Sequence, residues 1–460
     1  MISCNIPSFE TDLNEVVKLF GADLSVLVTV REGNTTYETE LLCGNHRAVC
    51  VDEKETAPTV LVRMRKMKWR VKSRLYFFLS ELFNRTVPWG SLTGIRPVAL
   101  YRGISAEGDN ADEVFTELFG VSEEKTTLAR RTAAAQADVI SKYKDGVALY
   151  VNIPFCKGRC SYCSFFSADI EKHAGLAEHY AKALTKEISG TVVLLEKRSL
   201  PIRAVYVGGG TPSSLPVPLL QGILEPLACL KTDEFTVEAG RPDSITAPLL
   251  DMLQGMNVTR ISINPQTSND ETLARIGRRH TFADTVRAFE LAAGYPFSVN
   301  ADIIAGLPGE GHAETTETVR RVLALGAQNI TLHTLSLKRG SRLQTEGYTA
   351  EGEGTGQLLS SCYGLLSSAG YAPYYLYRQK HTSGLQENTG FMRGNAPCLY
   401  NIFHMEDVLP VAACGAGAIS KNMYEHQRIE RLAQPKDVKT YLEKADTLIS
   451  EKNSFFGNQP

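Results

Sequence analysis

Long apolar runs are missing from this chain. No stretch of 18 uncharged apolar residues occurs in its 460 residues, which excludes a membrane-spanning helix by length. The opening MISCNIPSFETDLNEVV has neither a basic cluster nor an apolar core, so no secretory leader is expected. An excess of one charge is also lacking: 49 Lys and Arg face 51 Asp and Glu, a net of −2. That balance predicts no general affinity for nucleic acid or for a membrane surface. There is no internal repeat and no Ser/His/Asp arrangement. Apolar residues at 43% and charged ones at 22% exclude wholesale disorder.

Cysteine is not scarce. Ten thiols without an export signal point to a reducing, cytoplasmic setting, where they serve as ligands or small core hydrophobes. Seven are scattered: Cys4, Cys43, Cys50, Cys229, Cys362, Cys398 and Cys414. The other three are clustered.

The length suggests two or three units. Residues 24–42 read as two β-rich runs around a Gly/Asn turn, a hairpin signal. Between Arg63 and Arg74 lie seven Lys or Arg and no acid, which reads as a solvated face or a dock for an acidic electron donor. Helices are expected over 111–118 and 123–142, so residues 1–145 form an α+β accessory module. After Gly146 short β-branched runs at 147–153, 204–207, 235–237, 259–263, 298–304 and 329–332 alternate with helical patterns. Alternating strands and helices mean βαβ units and a parallel sheet. Six units over 146–340 suit an open (β/α)6 barrel, whose chemistry gathers at the C-terminal strand ends. Residues 341–460 form a looser C-terminal extension with a tyrosine-rich stretch, a polar loop at 351–356 and a final amphipathic helix near 437–449.

Directly after the first of these strands comes Cys156-Lys157-Gly158-Arg159-Cys160-Ser161-Tyr162-Cys163. Three thiolates from one short loop can hold three corners of a [4Fe–4S] cubane and leave the fourth iron open. Structural zinc, the competing reading, wants four ligands, usually as two separated CxxC pairs; the second pair is missing here.

CxxxCxxC with an aromatic before the last cysteine resembles the radical S-adenosylmethionine (SAM) enzymes. Gly208-Gly209-Gly210-Thr211-Pro212 resembles their GGGTP turn, where glycines let backbone approach the ligand. Glu238, Gln266, Arg278 and Asp302 fall in order at or after later strand ends and resemble SAM contacts of the oxygen-independent coproporphyrinogen III oxidase group. Tyr150 matches the tyrosine near the cluster in that group. The resemblance covers about residues 147–460. It is nearest to the Z-type coproporphyrinogen dehydrogenases, through WGSLTGIRP, YYLYRQK, CLYNIFHME and GAGAIS.

This resemblance implies a [4Fe–4S] cluster on Cys156, Cys160 and Cys163. It implies SAM held by Gly209, Gly210, Thr211, Glu238, Gln266, Arg278 and Asp302, with Tyr150 catalytic. The implied reaction abstracts a hydrogen from a propionate β-carbon and releases CO2 and an electron to leave a vinyl group, twice, giving protoporphyrinogen IX. A one-electron donor such as flavodoxin or ferredoxin is the implied partner. Arg378, Lys380 and Arg393 are the candidates for propionate capture, since guanidinium suits carboxylate. Phe165 stands where related oxidases carry a fourth cysteine that is not a cluster ligand. The haem-chaperone branch shares that change, so the alternative is a cluster-bearing haem carrier with His404 or His381 as axial ligand. Another tetrapyrrole-acting radical SAM enzyme is the related possibility.

Overall fold

The computed structural model describes residues 2–21, 23–54, 59–165, 167–338, 340–349, 352, 354–379, 382–424 and 428–457. The chain divides into two compact units, residues 1–133 and 134–460, and the helix Glu123–Lys142 runs through the division.

In the first unit β1 (Ile2–Cys4), β2 (Val26–Glu32), β3 (Thr36–Cys43) and β4 (His46–Glu53) form one sheet in that order. The β2–β3 pair is the expected hairpin, closed where Gly33 N–H donates to Thr36 O at 2.9 Å. Every second residue of β3 is buried, the mark of a one-faced sheet. The basic run lies on the helix Val60–Phe83, which buries Met67, Val71, Leu75 and Leu79 as a single stripe. Five of its seven cations are paired with acids. Arg65, Lys66, Lys68, Arg70 and Arg74 pair with Glu107, Asp109, Asp12 and Asp52 of the same unit. Asp52 is itself buried. The neutralising acids lie far away in sequence, and only folding brings them close.

The second unit holds β5 (Val147–Ile153), the short pair β6 (Phe155–Cys156) and β7 (Ala168–Asp169), and β8 (Ile202–Gly209). It continues with β9 (Glu234–Val237), β10 (Arg260–Ser262), β11 (Ser298–Ala305) and β12 (Asn329–Thr334). Strands β5, β8, β9, β10, β11 and β12 are parallel and adjacent in chain order, with helices in the crossovers: an open (β/α)6 barrel. The later strands β13 (Tyr371–Arg378), β14 (Glu387–Arg393), β15 (Val411–Cys414), β16 (Ile419–Met423) and β17 (Ile429–Ala433) extend the same sheet to eleven. β14 and β13 pair antiparallel beyond β12, while β15 adds parallel to β5. The tyrosine-rich stretch is thus strand β13. Aromatic residues favour strands once a neighbouring edge exists, which local pattern alone does not reveal.

Along β11 and β12 the parity is plain. Val299, Ala301, Ile303, Ile330 and Leu332 pack outward on the helices, in the main core. Asn300, Asp302, Thr331 and His333 face the barrel interior. The chain's final helix, Val438–Gly457, docks on the helix Ala174–Lys197 through a fully buried Lys452–Glu187 ion pair. Glu187 also accepts from Gly415 N (2.9 Å), Tyr441 Oη (2.6 Å) and Gln434 Nε2 (2.6 Å). Gly415 has φ +102°, and a Cβ there would meet Asn152 O at 2.4 Å, which explains the glycine in GAGAIS.

Candidate functional site

A cavity of about 380 Å³ opens at the C-terminal ends of the barrel strands. The cluster loop forms one side of it. Cys156 ends β6, and Cys163 N–H donates to Cys160 O at 3.1 Å in the turn that follows. All three thiols line the cavity. The loop is clipped on two sides: Thr211 N–H donates to Phe155 O (2.7 Å), and Ser161 N–H donates to Ile276 O (2.9 Å). Burial pushes the Cys156 thiol up and carries Cys163 to about 11, with the neighbouring cysteines adding to the latter. The protons that burial holds on these thiols are what a bound metal would displace.

The GGGTP turn lies against that loop. Gly209 has φ +114°. A Cβ on Gly210 would sit 2.4 Å from Phe155 O and 2.9 Å from Cys156 Sγ, and one on Gly208 would press on the Glu238 carboxylate. Side chains are excluded there by contact with the protein's own cluster loop and with Glu238. Glu238 accepts from Tyr206 Oη. Burial raises its carboxyl to about 7, and nearby Asp302 adds to this; the Tyr206 hydrogen bond opposes it. Burial also acts to raise Asp302, yet His333, Asn300 and Thr331 outweigh it and hold that carboxyl below its ordinary range. Asn300 Nδ2 donates to Asp302 Oδ1 at 3.0 Å, and His333 Nε2 stands 3.8 Å from the same oxygen.

Several polar atoms around the cavity are buried without a hydrogen-bond partner. They are Arg278 Nε and Nη1, Arg241 Nη2, Gln266 Oε1, Asn264 Oδ1 and Asn300 Oδ1. Such atoms cost stability until a ligand meets them. Donors and acceptors both occur in the set, which fits a zwitterionic ligand such as SAM. Gln266 adopts φ +67°, a conformation costing about 1–3 kcal/mol that tertiary bonds enforce here. Its N–H donates to Asp302 O, and its own carbonyl accepts from Ile304 N–H, both at 2.9 Å. Among the described residues no group of His, Cys, Asp or Glu is already assembled as a metal site. The donor set itself fits a cluster with one open iron: three thiols on one loop.

The Radical SAM superfamily description matches residues 150–322. The oxygen-independent coproporphyrinogen-III oxidase-like protein HemZ of Bacillus subtilis is 35% identical over 80% of this chain and 76% of its own. The chain belongs to the radical SAM superfamily, in the HemZ-type coproporphyrinogen oxidase-like branch. Its cofactors are those of the superfamily, a [4Fe–4S] cluster and SAM. The heme chaperone HemW of Escherichia coli is 26% identical over 65% of this chain and 76% of its own. The solved coproporphyrinogen III oxidase HemN of Escherichia coli shares the fold, with a TM-score of 0.54 at 20% identity over 69% of this chain and 73% of that one.

Within this radical SAM site the structure brings together Tyr150, the three cysteines, Gly209, Gly210, Thr211, Glu238, Gln266, Arg278 and Asp302. Tyr150 stacks on Tyr400 (5.9 Å) and Tyr206 (6.2 Å), and its hydroxyl donates to Asn152 Oδ1 at 3.0 Å. The propionate candidates are not brought together with them. Arg378 is buried opposite Glu387 on the face of β13 turned from the cavity, because Tyr375 and Tyr377 take the inward positions. Arg393 ends β14 beside Gln328, ahead of the first residue of β12, so it lies at the opposite end of the barrel. Lys380 and His381 lie outside the described residues. His404 is exposed on the helix Leu399–Met405, with its ring on Tyr400, and does not line the cavity.

Sequence reasoning missed Arg241, Asn264, Asn300, Tyr206, His333 and Lys338 as cavity residues. A signal existed for three of them. Asn264, Asn300 and Tyr206 each stand two residues before a motif residue, and strand parity puts such pairs on one face.

Proposed function

We propose that this chain is a coproporphyrinogen III dehydrogenase that converts two propionates to vinyl groups, each losing a hydrogen atom, CO2 and one electron that passes to a one-electron acceptor. The observation that carries the reading is one cavity in which the cluster thiols and unpartnered SAM-sized polar groups face an aromatic wall of Tyr206, Tyr375 and Tyr377. When bound, the cluster and SAM supply a hydrogen-abstracting radical.

The chain's own residues then hold and shield. Cys156, Cys160 and Cys163 would be the cluster ligands. Glu238 suits the ammonium end of SAM, and the two free N–H groups of Arg278 suit its carboxylate. Gln266 and Asp302, fixed to each other through backbone, are left for hydroxyl groups. Tyr150 and its stacked neighbours exclude water from the reacting carbon. Residues 341–460 give the substrate side, through β13 and β14. The electron reaches the cluster from a flavodoxin- or ferredoxin-like donor in the cytoplasm.

The test is anaerobic incubation of reconstituted protein with coproporphyrinogen III, SAM and dithionite. Loss of two CO2 per product, with deuterium moving from the propionate β-carbon into 5′-deoxyadenosine, is expected. A haem-carrier reading is favoured by Phe165 and by the likeness to HemW. Stoichiometric haem binding with SAM cleavage but no decarboxylation would establish it, and the exposed position of His404 counts against it.

A further inference from the structure

Among the described residues four long cations line the cavity: Arg159, Arg241, Arg278 and Lys338. Three are tethered. Arg159 donates to Gly340 O at 2.9 Å, Arg241 to Lys157 O at 2.7 Å, and Arg278 to Gly240 O at 3.0 Å. The Lys338 ammonium, among the described residues, has neither a hydrogen-bond nor an ion-pair partner. It is half-buried, it lies over the ring of Phe165, 5.9 Å away at the centroid, and the Cys163 thiol is near enough to interact with it electrostatically. Phe165 is 64% exposed, unusual for a large apolar ring, and it lines the same cavity two residues beyond Cys163. A half-desolvated ammonium with no hydrogen bond and no direct ion pair keeps its donors free for an anion, because the Cys163 interaction only partly offsets its burial. An exposed ring beside it offers an apolar face to the body that carries the anion.

We propose that Lys338, held over the Phe165 ring, is the seat for a substrate carboxylate, with the substrate's apolar macrocycle resting on that ring. The seat rests on the tetrapyrrole reading above and takes over the role that Arg378 and Arg393 are not placed to play. It stands on the segment after β12, beside the cluster loop, so a propionate anchored there leaves a neighbouring propionate free to face the radical. Lysine here is a specificity residue: it selects carboxylated tetrapyrroles over esters and does not enter the chemistry.

The experiment uses the reconstituted holoprotein with SAM, under anaerobic conditions, and coproporphyrin III as a stable probe. Wild type should bind the free acid at least tenfold tighter than its tetramethyl ester. Lys338→Gln should weaken free-acid binding about ten- to a hundredfold, the size of a charge-assisted hydrogen bond, and raise the substrate KM while iron content and SAM affinity hold. Lys338→Arg should recover most of the loss. Equal affinity for acid and ester in wild type overturns the seat without needing any variant. An unchanged KM in Lys338→Gln, with wild-type turnover intact, overturns the seat alone. Wild type that neither binds coproporphyrin III nor turns over coproporphyrinogen overturns the tetrapyrrole reading and the seat with it.

Discussion

The Tyr206 phenol donates to the Glu238 carboxylate across the mouths of β8 and β9, and this hydrogen bond opposes the burial that raises Glu238. Burial prevails, so the folded carboxyl titrates near 7 against about 4.5 in the unfolded chain. Folding therefore favours the protonated form. Its contribution is present below pH 4.5 and is lost as pH rises through 7, with a ceiling of about 3 kcal/mol at roughly 1.4 kcal/mol per unit. The melting temperature of cluster-free protein should fall between pH 5 and pH 7.5. Glu238→Gln should flatten that slope; an equally steep slope in the variant removes Glu238 as its source.

The cysteines divide by position. Cys156, Cys160 and Cys163 share one cavity-facing loop, whereas Cys229 is exposed at a helix end. Replacing any of the first three by Ala should abolish the iron–sulfur absorption near ~400 nm and SAM cleavage together. Cys229→Ser should change neither. A full iron complement in any of the three loop variants contradicts the assignment.

Arg278 keeps one nitrogen on Gly240 and leaves two unpartnered. Arg278→Ala should weaken SAM binding by ~1.5–3 kcal/mol while the cluster stays intact. Calorimetric titration of SAM into the reconstituted variant measures this, and wild-type affinity would place SAM elsewhere.

Lys452 neutralises Glu187 where neither side chain reaches solvent. Lys452→Met should cost about 3–5 kcal/mol, since it strands a buried carboxylate. Adding Glu187→Gln should restore part of that, because the amide keeps hydrogen bonds without the charge. Denaturant unfolding of the two single variants and the double closes the cycle, and additive losses would deny the coupling.

Arg393 and Arg378 should behave unlike cavity cations. Arg393→Ala, at the far end of the barrel, should leave substrate KM unchanged. Arg378→Ala should lower stability through its buried place opposite Glu387 before it alters binding. Steady-state KM beside a melting curve separates the two effects.

Much of the barrel was written locally. The strand beginning at Val147, those around residues 204, 235 and 298, and the helix 123–142 appear where β-branched runs and apolar spacing put them. The site motifs were legible for the same reason: each is a short contiguous segment fixed at a strand end, so order along the chain becomes proximity in space. Arg378, Arg393 and the basic run of Val60–Phe83 were not legible. Their partners Glu387, Gln328, Asp52 and Asp12 depend on sheet register and on helix docking.

By itself the sequence determined the cofactor chemistry and the parallel sheet, because three thiols in eight residues and six alternating βα units constrain structure through local geometry. Only the tertiary structure decided which cations face the cavity. Strand parity turned Arg378 away, antiparallel pairing carried Arg393 to the opposite end, and the segment after β12 brought Lys338 over Phe165. A side chain's reach toward a ligand depends on which face its strand presents, and neighbouring strands settle that.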